Sequence, residues 1–229
     1  MSAEQPFTLA LDPKQNDMAN GVLSTWKRTA ERTPTIEIVP PFLDRITWIS
    51  VLAEFRTILG EDGVLVGHEH HIRYADPYAQ QHDEQEKRGS SATLLPVTVE
   101  EIQAVLRLCN KHQIPLWTVS RGKNLGYGGP AARVKVSQIS RSGLRSRSDS
   151  TTQGSIILDL QRMRKIIEIN DKYLYYTVEP GVTFFDIYRA IQDQKKNIWC
   201  SVPALGWGSV IGNALDRGWG YTPAGEMKP

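Results

Sequence analysis

A chain of 229 residues that is 40% hydrophobic and 23% charged can bury a core, and it is not a disordered protein. Its formal net charge of +2 is too small to demand a polyanionic partner, and two cysteines without CxxC spacing, Cys109 and Cys200, read as free thiols of a reducing compartment. No apolar run approaches the roughly 20 residues of a membrane span, and Met1–Pro6 lacks the basic and apolar blocks of a signal peptide, so a soluble, intracellular, cytoplasmic protein with no membrane partner is expected.

Residues 1–40 are polar and punctuated by proline, and an N-terminal arm with little regular structure is expected there. From Thr47 to Leu59 the apolar residues Ile49, Val51, Leu52, Phe55, Ile58 and Leu59 recur at helical spacing, and Gly60 stands where a helix C′ residue belongs. Gly63–Val66 reads as a short strand. His68 and His70 would share one face of an extended segment, but no carboxylate and histidine partners follow at zinc spacing, so no metal is assigned. The charged, glutamine-rich run from Asp76 to Arg88 reads as a solvated loop. Thr98 and Glu101 then form a capping-box signature ahead of Ile102, Val105, Leu106, Leu108 and Cys109, which predicts a helix ending near His112. Ile114–Val119 reads as a buried strand, and residues 41–119 make a small α/β subdomain whose last strand delivers a glycine loop.

That loop, Ser120-Arg-Gly-Lys-Asn-Leu-Gly-Tyr-Gly-Gly129, packs four glycines and two cations into ten residues. Glycines let the backbone turn through positive φ and bring N–H groups to an anion, while Arg121 and Lys123 raise the local potential, which reads as a phosphate cradle. The spacing matches neither the Walker A pattern nor the dinucleotide fingerprint, and over these residues alone a surface loop with turn glycines would look the same. Beyond it, Gly154–Asp159 reads as a strand, and Ile166–Ile169 and Tyr173–Val178 as antiparallel strands joined by a turn at Asn170-Asp171. Thr183 caps a helix carrying Phe185, Ile187, Tyr188 and Ile191, and a glycine-rich segment runs from Trp199 to Tyr221. Residues 120–229 form a larger α+β subdomain.

Four phrases occur in one order: Leu95-Pro96 before the capped helix, Ser120–Gly129, Val178-Glu-Pro-Gly-Val182, and Gly208-Ser-Val-Ile-Gly-Asn-Ala214 leading to Gly218-Trp-Gly-Tyr-Thr-Pro223. Together they resemble the FAD-binding domain of the vanillyl-alcohol oxidase and p-cresol methylhydroxylase family over about residues 40–226. The resemblance implies an α+β fold of two subdomains with FAD between them. It implies that Ser120, Arg121, Gly122, Lys123, Asn124, Leu125 and Gly126 bind the flavin pyrophosphate. Cofactor contact is carried likewise to Pro180, Gly181, Val182, Ser209, Gly212 and Asn213. In phenol-oxidising members, tyrosines at the positions of Tyr127 and Tyr221 bind the substrate as a phenolate, and hydroxyl donors stabilise that oxyanion. Aromatic packing beside a loop is the alternative for both.

Three residues depart from the family pattern. Leu125 stands where related flavoproteins with a histidine attach FAD covalently, so that linkage is excluded at this site. Ala204 replaces a catalytic-site aspartate, and Trp207 replaces a glycine beside the flavin. Val136–Gln153 interrupts the pattern by 18 residues. Val-Ser can be encoded GTAAGT, a splice donor, and Gln as CAG, an acceptor, so the segment reads as a retained short intron translated in frame. A natural surface insertion and a basic binding loop are the alternatives, and in each case it would not fold by itself. The chain stops at Glu226–Pro229, where family members continue into a cap domain, so the fold is expected to be incomplete at the C-terminus. That C-terminus carries no Ser-Lys-Leu type signal for the peroxisomal delivery open to full-length relatives.

The first reading is therefore an FAD-dependent oxidoreductase domain acting on para-substituted phenols. The second is a non-catalytic, truncated FAD-binding remnant. Polyanion binding through the seven cations between Arg121 and Ser148 ranks last, because the cradle already accounts for Arg121 and Lys123, and no nucleic-acid partner is assigned.

Overall fold

Asp44 starts helix α1 (Arg45–Leu59) by accepting a hydrogen bond from the Thr47 N–H at 2.7 Å, so the helix begins at Arg45 rather than at Thr47. The computed structural model describes residues 38–67, 70, 74, 90–122, 154–203, 206–216 and 218. Gly60, with φ of 75°, closes the helix as its spacing predicts. Trp48, Val51, Leu52 and Phe55 form the buried stripe. Ile49 was expected on that stripe and is 55% exposed, because it falls beside the i, i+3, i+4, i+7 row set by Trp48. Helix α2 (Val99–His112) carries the predicted capping box, with Glu101 N–H donating to Thr98 Oγ1 and the Glu101 carboxylate accepting from the Thr98 N–H. It buries Val105, Leu108 and Cys109, and burial pushes the Cys109 thiol up to about 12.

Four strands make the first sheet: β1 (Val64–Leu65), β2 (Ala92–Leu94), β3 (Leu116–Val119) and β4 (Ile156–Asp159), in the order β1-β2-β4-β3. Strand β1 runs antiparallel to β2, whereas β2, β4 and β3 are mutually parallel. Strand β4 is central and all four of its residues are buried, which is why Ile-Ile-Leu shows no alternation. The expectation that β3 is buried is corrected: it lies at the sheet edge, and among its residues only Val119 is buried. Strand β4 also crosses the expected subdomain boundary. A division between residues 119 and 120 would separate β3 from β4, its hydrogen-bonded neighbour, so the sheet places 156–159 with the first lobe. Helices α1 and α2 pack on this sheet through Trp48, Phe55, Leu94, Val105, Ile156 and Leu158.

The second lobe is built on a hairpin of β5 (Ile166–Asn170) and β6 (Tyr175–Val178), with helices α3 (Phe184–Asp193) and α4 (Val210–Leu215). Tyr173 and Leu174, expected in the second strand, lie in the turn instead: Asn170 Oδ1 accepts from the Tyr173 N–H at 3.0 Å and Leu174 takes φ of 56°. A separate core joins Ile169, Val182, Phe184, Ile187, Ile191 and Val210. Thr183 caps α3 reciprocally with Asp186, while Phe185 and Tyr188 face outward. Two cores, each with its own sheet and helices, give the expected α+β, two-subdomain fold. Among the described residues, no helix is long and apolar enough to cross a membrane, and no group of three His, Cys, Asp or Glu could hold a metal ion.

Candidate functional site

Strands β3 and β4 end side by side, Val119 opposite Asp159, at the carboxyl edge of their parallel pair. Ligands of open parallel sheets bind at such edges. From β3 the chain enters Ser120-Arg121-Gly122, and Gly122 adopts φ of 60°, a left-handed conformation that favours glycine. From β4 it enters a turn shaped by Asp159. The Asp159 carboxylate is buried and accepts from the Gln161 N–H at 2.9 Å, Gln161 Nε2 at 2.7 Å and the Tyr74 hydroxyl at 2.8 Å. The Met163 N–H closes the turn by donating to Leu160 O at 3.1 Å.

Behind Tyr74 lies His70, which is 2% exposed. The sequence reading placed His70 in an extended segment. The structure puts it in a helical turn, with the Tyr74 N–H donating to its carbonyl, because its ring is drawn inward by Ser90 Oγ at 2.7 Å and Thr93 Oγ1 at 3.0 Å. His68 and His71 lie outside the described residues.

The turn at Leu160–Met163 encloses Gly181. A Cβ built on Gly181 would stand 2.6 Å from Gln161 O, 2.6 Å from Met163 O and 2.7 Å from Leu160 O, so no side chain fits. Its N–H donates to Met163 O at 2.8 Å, and its carbonyl accepts from Arg121 Nη1 at 3.1 Å. The Glu179-Pro180-Gly181 phrase of the second lobe is thereby fixed to both loops of the first. Pro180 O in turn accepts from Ser209 Oγ at 2.5 Å, and Ser209 Oγ accepts from the Gly212 N–H at 3.1 Å, capping α4. A Cβ on Gly212 would collide with Ser120 Oγ. Gly212 thus lets the glycine loop of one lobe touch the short helix of the other. One residue further, Asn213 Oδ1 is buried without a partner among the described residues, and so is Arg121 Nε.

Of the residues singled out in the sequence, Ser120, Arg121, Gly122, Pro180, Gly181, Ser209, Gly212 and Asn213 are gathered at this seam. Val182, also expected at the cofactor, follows Gly181 in the same phrase. Its side chain is fully buried in the second core, its N–H donates to Glu179 O and its carbonyl accepts from Val210, so it anchors the phrase from behind. Lys123, Asn124, Leu125, Gly126, Tyr127, Ala204 and Tyr221 lie outside the described residues, as does Val136–Gln153. Trp207 is 52% exposed, and no described contact sets it against the seam. Sequence reasoning missed Asp159, Gln161 and Tyr74. The signal for Asp159 was a lone acid closing the apolar run Ile-Ile-Leu, where an unbonded carboxylate would be costly.

These residues fit FAD. Gly181 and Gly212 have no room for a Cβ because the carbonyls of Leu160, Gln161 and Met163 and the Ser120 hydroxyl fill that space, so they let the two lobes close on each other. Two buried polar atoms of opposite kind, the acceptor Asn213 Oδ1 and the donor Arg121 Nε, lack partners among the described residues. Ser120, Arg121 and the backbone of Gly122 supply donors, and none of the three carries negative charge.

Comparison with known proteins agrees. Residues 130–226 match the FAD binding domain family. The chain is 36% identical over 190 residues to the flavoprotein subunit of 4-cresol dehydrogenase [hydroxylating] from Pseudomonas putida, covering 82% of this chain and 33% of that protein. Among solved structures, p-cresol methylhydroxylase with substrate bound superposes with a TM-score of 0.69 at 35% identity, over 82% of this chain and 33% of that one. The 4-ethylphenol oxidase of Gulosibacter chungangensis in complex with isoeugenol gives 0.67 at 31% identity, over 82% and 32%. The chain thus spans about a third of the length of these relatives. With two lobes meeting at a glycine-lined seam that fits FAD, the chain carries an FAD binding domain match and is similar to flavoproteins of the p-cresol methylhydroxylase type.

Proposed function

We propose that this chain is the FAD-binding part of an oxidoreductase that oxidises para-substituted phenols. The observation carrying this reading is the likeness, above 30% identity over most of the chain, to a 4-cresol dehydrogenase subunit and a 4-ethylphenol oxidase. Bound FAD would supply the acceptor for the hydride leaving the α carbon of the substituent para to the phenol oxygen. The chain's own residues hold and orient. The glycine loop 120–126 receives the pyrophosphate through backbone N–H groups, and the seam of Pro180, Gly181, Val182, Ser209, Gly212 and Asn213 lies along the ring system. Tyr127 and Tyr221 donate their hydroxyls to the phenolate oxygen, stabilising the charge that favours oxidation. The subdomains proposed are an arm over 1–40, a first lobe from 41 that takes in β4, and a second lobe beyond it.

Purified chain mixed with FAD, gel filtered and scanned in the visible range tests cofactor binding, and turnover of a 4-alkylphenol with a dye acceptor tests the chemistry. Co-eluting oxidised flavin that is lost on replacing Gly122 and Gly126 with bulky residues supports the reading. Folded protein that elutes without flavin overturns it. The length of the chain, a third of its relatives, favours a second reading in which it binds FAD without turning over a phenol. Flavin retention with no phenol-dependent bleaching distinguishes the two.

A further inference from the structure

We propose that Arg121 is a positioning residue that locks the two lobes together across the FAD cradle, and that it does so through the Gly181 carbonyl rather than as a phosphate-binding cation. The inference rests on the FAD-binding reading of the seam. Two observations support it. Arg121 Nη1 donates to Gly181 O at 3.1 Å, joining the first residues of the glycine loop to the Glu-Pro-Gly phrase of the other lobe. That acceptor cannot drift, because Gly181 is enclosed by the carbonyls of Leu160, Gln161 and Met163 and its own N–H is bonded to Met163 O. The guanidinium is therefore directed at a fixed point of backbone.

The adjacent residue completes the lock from the other side. Ser120 packs its hydroxyl on Gly212 of α4, so successive residues of one loop engage two separate phrases of the second lobe. Arg121 presents a rigid fork of donors, which suits a bond to one immobile carbonyl better than a flexible ammonium does. With the lobes pre-set, FAD meets a formed cleft and does not have to order it, which raises affinity without any added contact.

The test uses Arg121→Met, which keeps most of the stem, and Arg121→Lys, which keeps the charge without the fork. Hydrogen exchange at the amides of Gly181 and Val182 is followed in the cofactor-free protein, and FAD affinity by quenching of flavin fluorescence. The lock predicts faster exchange at both amides in both variants. It also predicts about tenfold weaker FAD binding for Arg121→Met, the equivalent of one charge-assisted hydrogen bond. That ratio stays the same at roughly 50 mM and 500 mM salt, since a fixed short bond is little screened. Exchange unchanged from wild type overturns the proposal. So does wild-type behaviour of Arg121→Lys together with a Met defect that fades at high salt, which is the signature of a phosphate-binding cation. Should Arg121→Met fail to fold, Arg121→Lys decides by the same exchange criterion. Wild-type protein that binds no FAD sinks the cofactor reading, while exchange in the cofactor-free protein still tests the lock.

Discussion

Replacing Gly181 with alanine tests the carbonyl cage at the seam. The added Cβ would stand 2.6–2.7 Å from three backbone oxygens that no side-chain rotation can move away. Overpacking a tight site costs about 1–3 kcal/mol. Displacing the turn also weakens the bonds from the Gly181 N–H to Met163 O and from Arg121 to Gly181 O, at about 1 kcal/mol each. Alanine reduces the entropy of the unfolded chain, which offsets roughly 0.4–1 kcal/mol. The net expectation is a loss of about 2–4 kcal/mol, read as a fall of about 1 M in the urea midpoint, together with weaker FAD retention. Gly60→Ala is the matched control: nothing lies within 4 Å of its Cβ, so its cost comes from the φ of 75° alone, and it lies away from the seam. It should lower stability by about 1–3 kcal/mol and leave FAD affinity intact. A Gly181→Ala protein with wild-type midpoint and wild-type FAD affinity would refute the steric argument.

Three further outcomes are expected. Gly212→Ala should cost about 1–2 kcal/mol by crowding Ser120 Oγ, and Ser120→Ala should relieve it, giving a coupling energy of about 1 kcal/mol in a double-mutant cycle; simple additivity would disprove the contact. Tyr74→Phe removes the hydroxyl donor to buried Asp159 and should lower unfolding free energy by about 1.5–3 kcal/mol, measured by urea titration. Asp186 supplies a pH signature. Burial by itself would raise its carboxyl, but bonds from the Thr183 N–H and hydroxyl and the charge of Arg164 outweigh it and hold the group below its ordinary 3.8. A depressed folded value means the stabilisation is fully present above pH 3.8 and is lost as pH falls through the folded value, so Asp186→Asn should flatten the acid limb of the stability profile without changing the alkaline limb.

What could be read from the sequence was local. The Thr98 and Thr183 caps, the Gly60 stop and the β5–β6 pairing each depend on residues within a few positions of one another, and all appear in the structure. Two elements left no usable pattern. Strand β2 is three residues long and wholly buried, too short for a period to show, and α4 is a six-residue helix with a glycine inside it. The position of β4 between β2 and β3 was unreadable for another reason, since strand order is set by packing among distant segments and not by local propensity. The same limit hid Tyr74 and Gln161, whose roles exist only because Asp159 is brought to them. At the seam the glycines were legible because a close approach demands them, whereas the use of Arg121 on a carbonyl was not.

The position of β4 has a consequence for how the protein folds. Strands β2 and β3 never pair with each other, and each bonds only to β4 within their parallel set, so that set is completed only when residues 156–159 arrive. The connection closing it runs from residue 120 to 155, and deleting Val136–Gln153 would roughly halve its length at a gain of only about 0.6 kcal/mol in closure entropy. The length of that connection is therefore a small term in the closure entropy. The pairing it closes is non-local, and Asp159, which ends that strand, also accepts from the Gln161 N–H in the turn that cages Gly181. In this chain, the strand that completes the parallel set also carries the turn that cages Gly181.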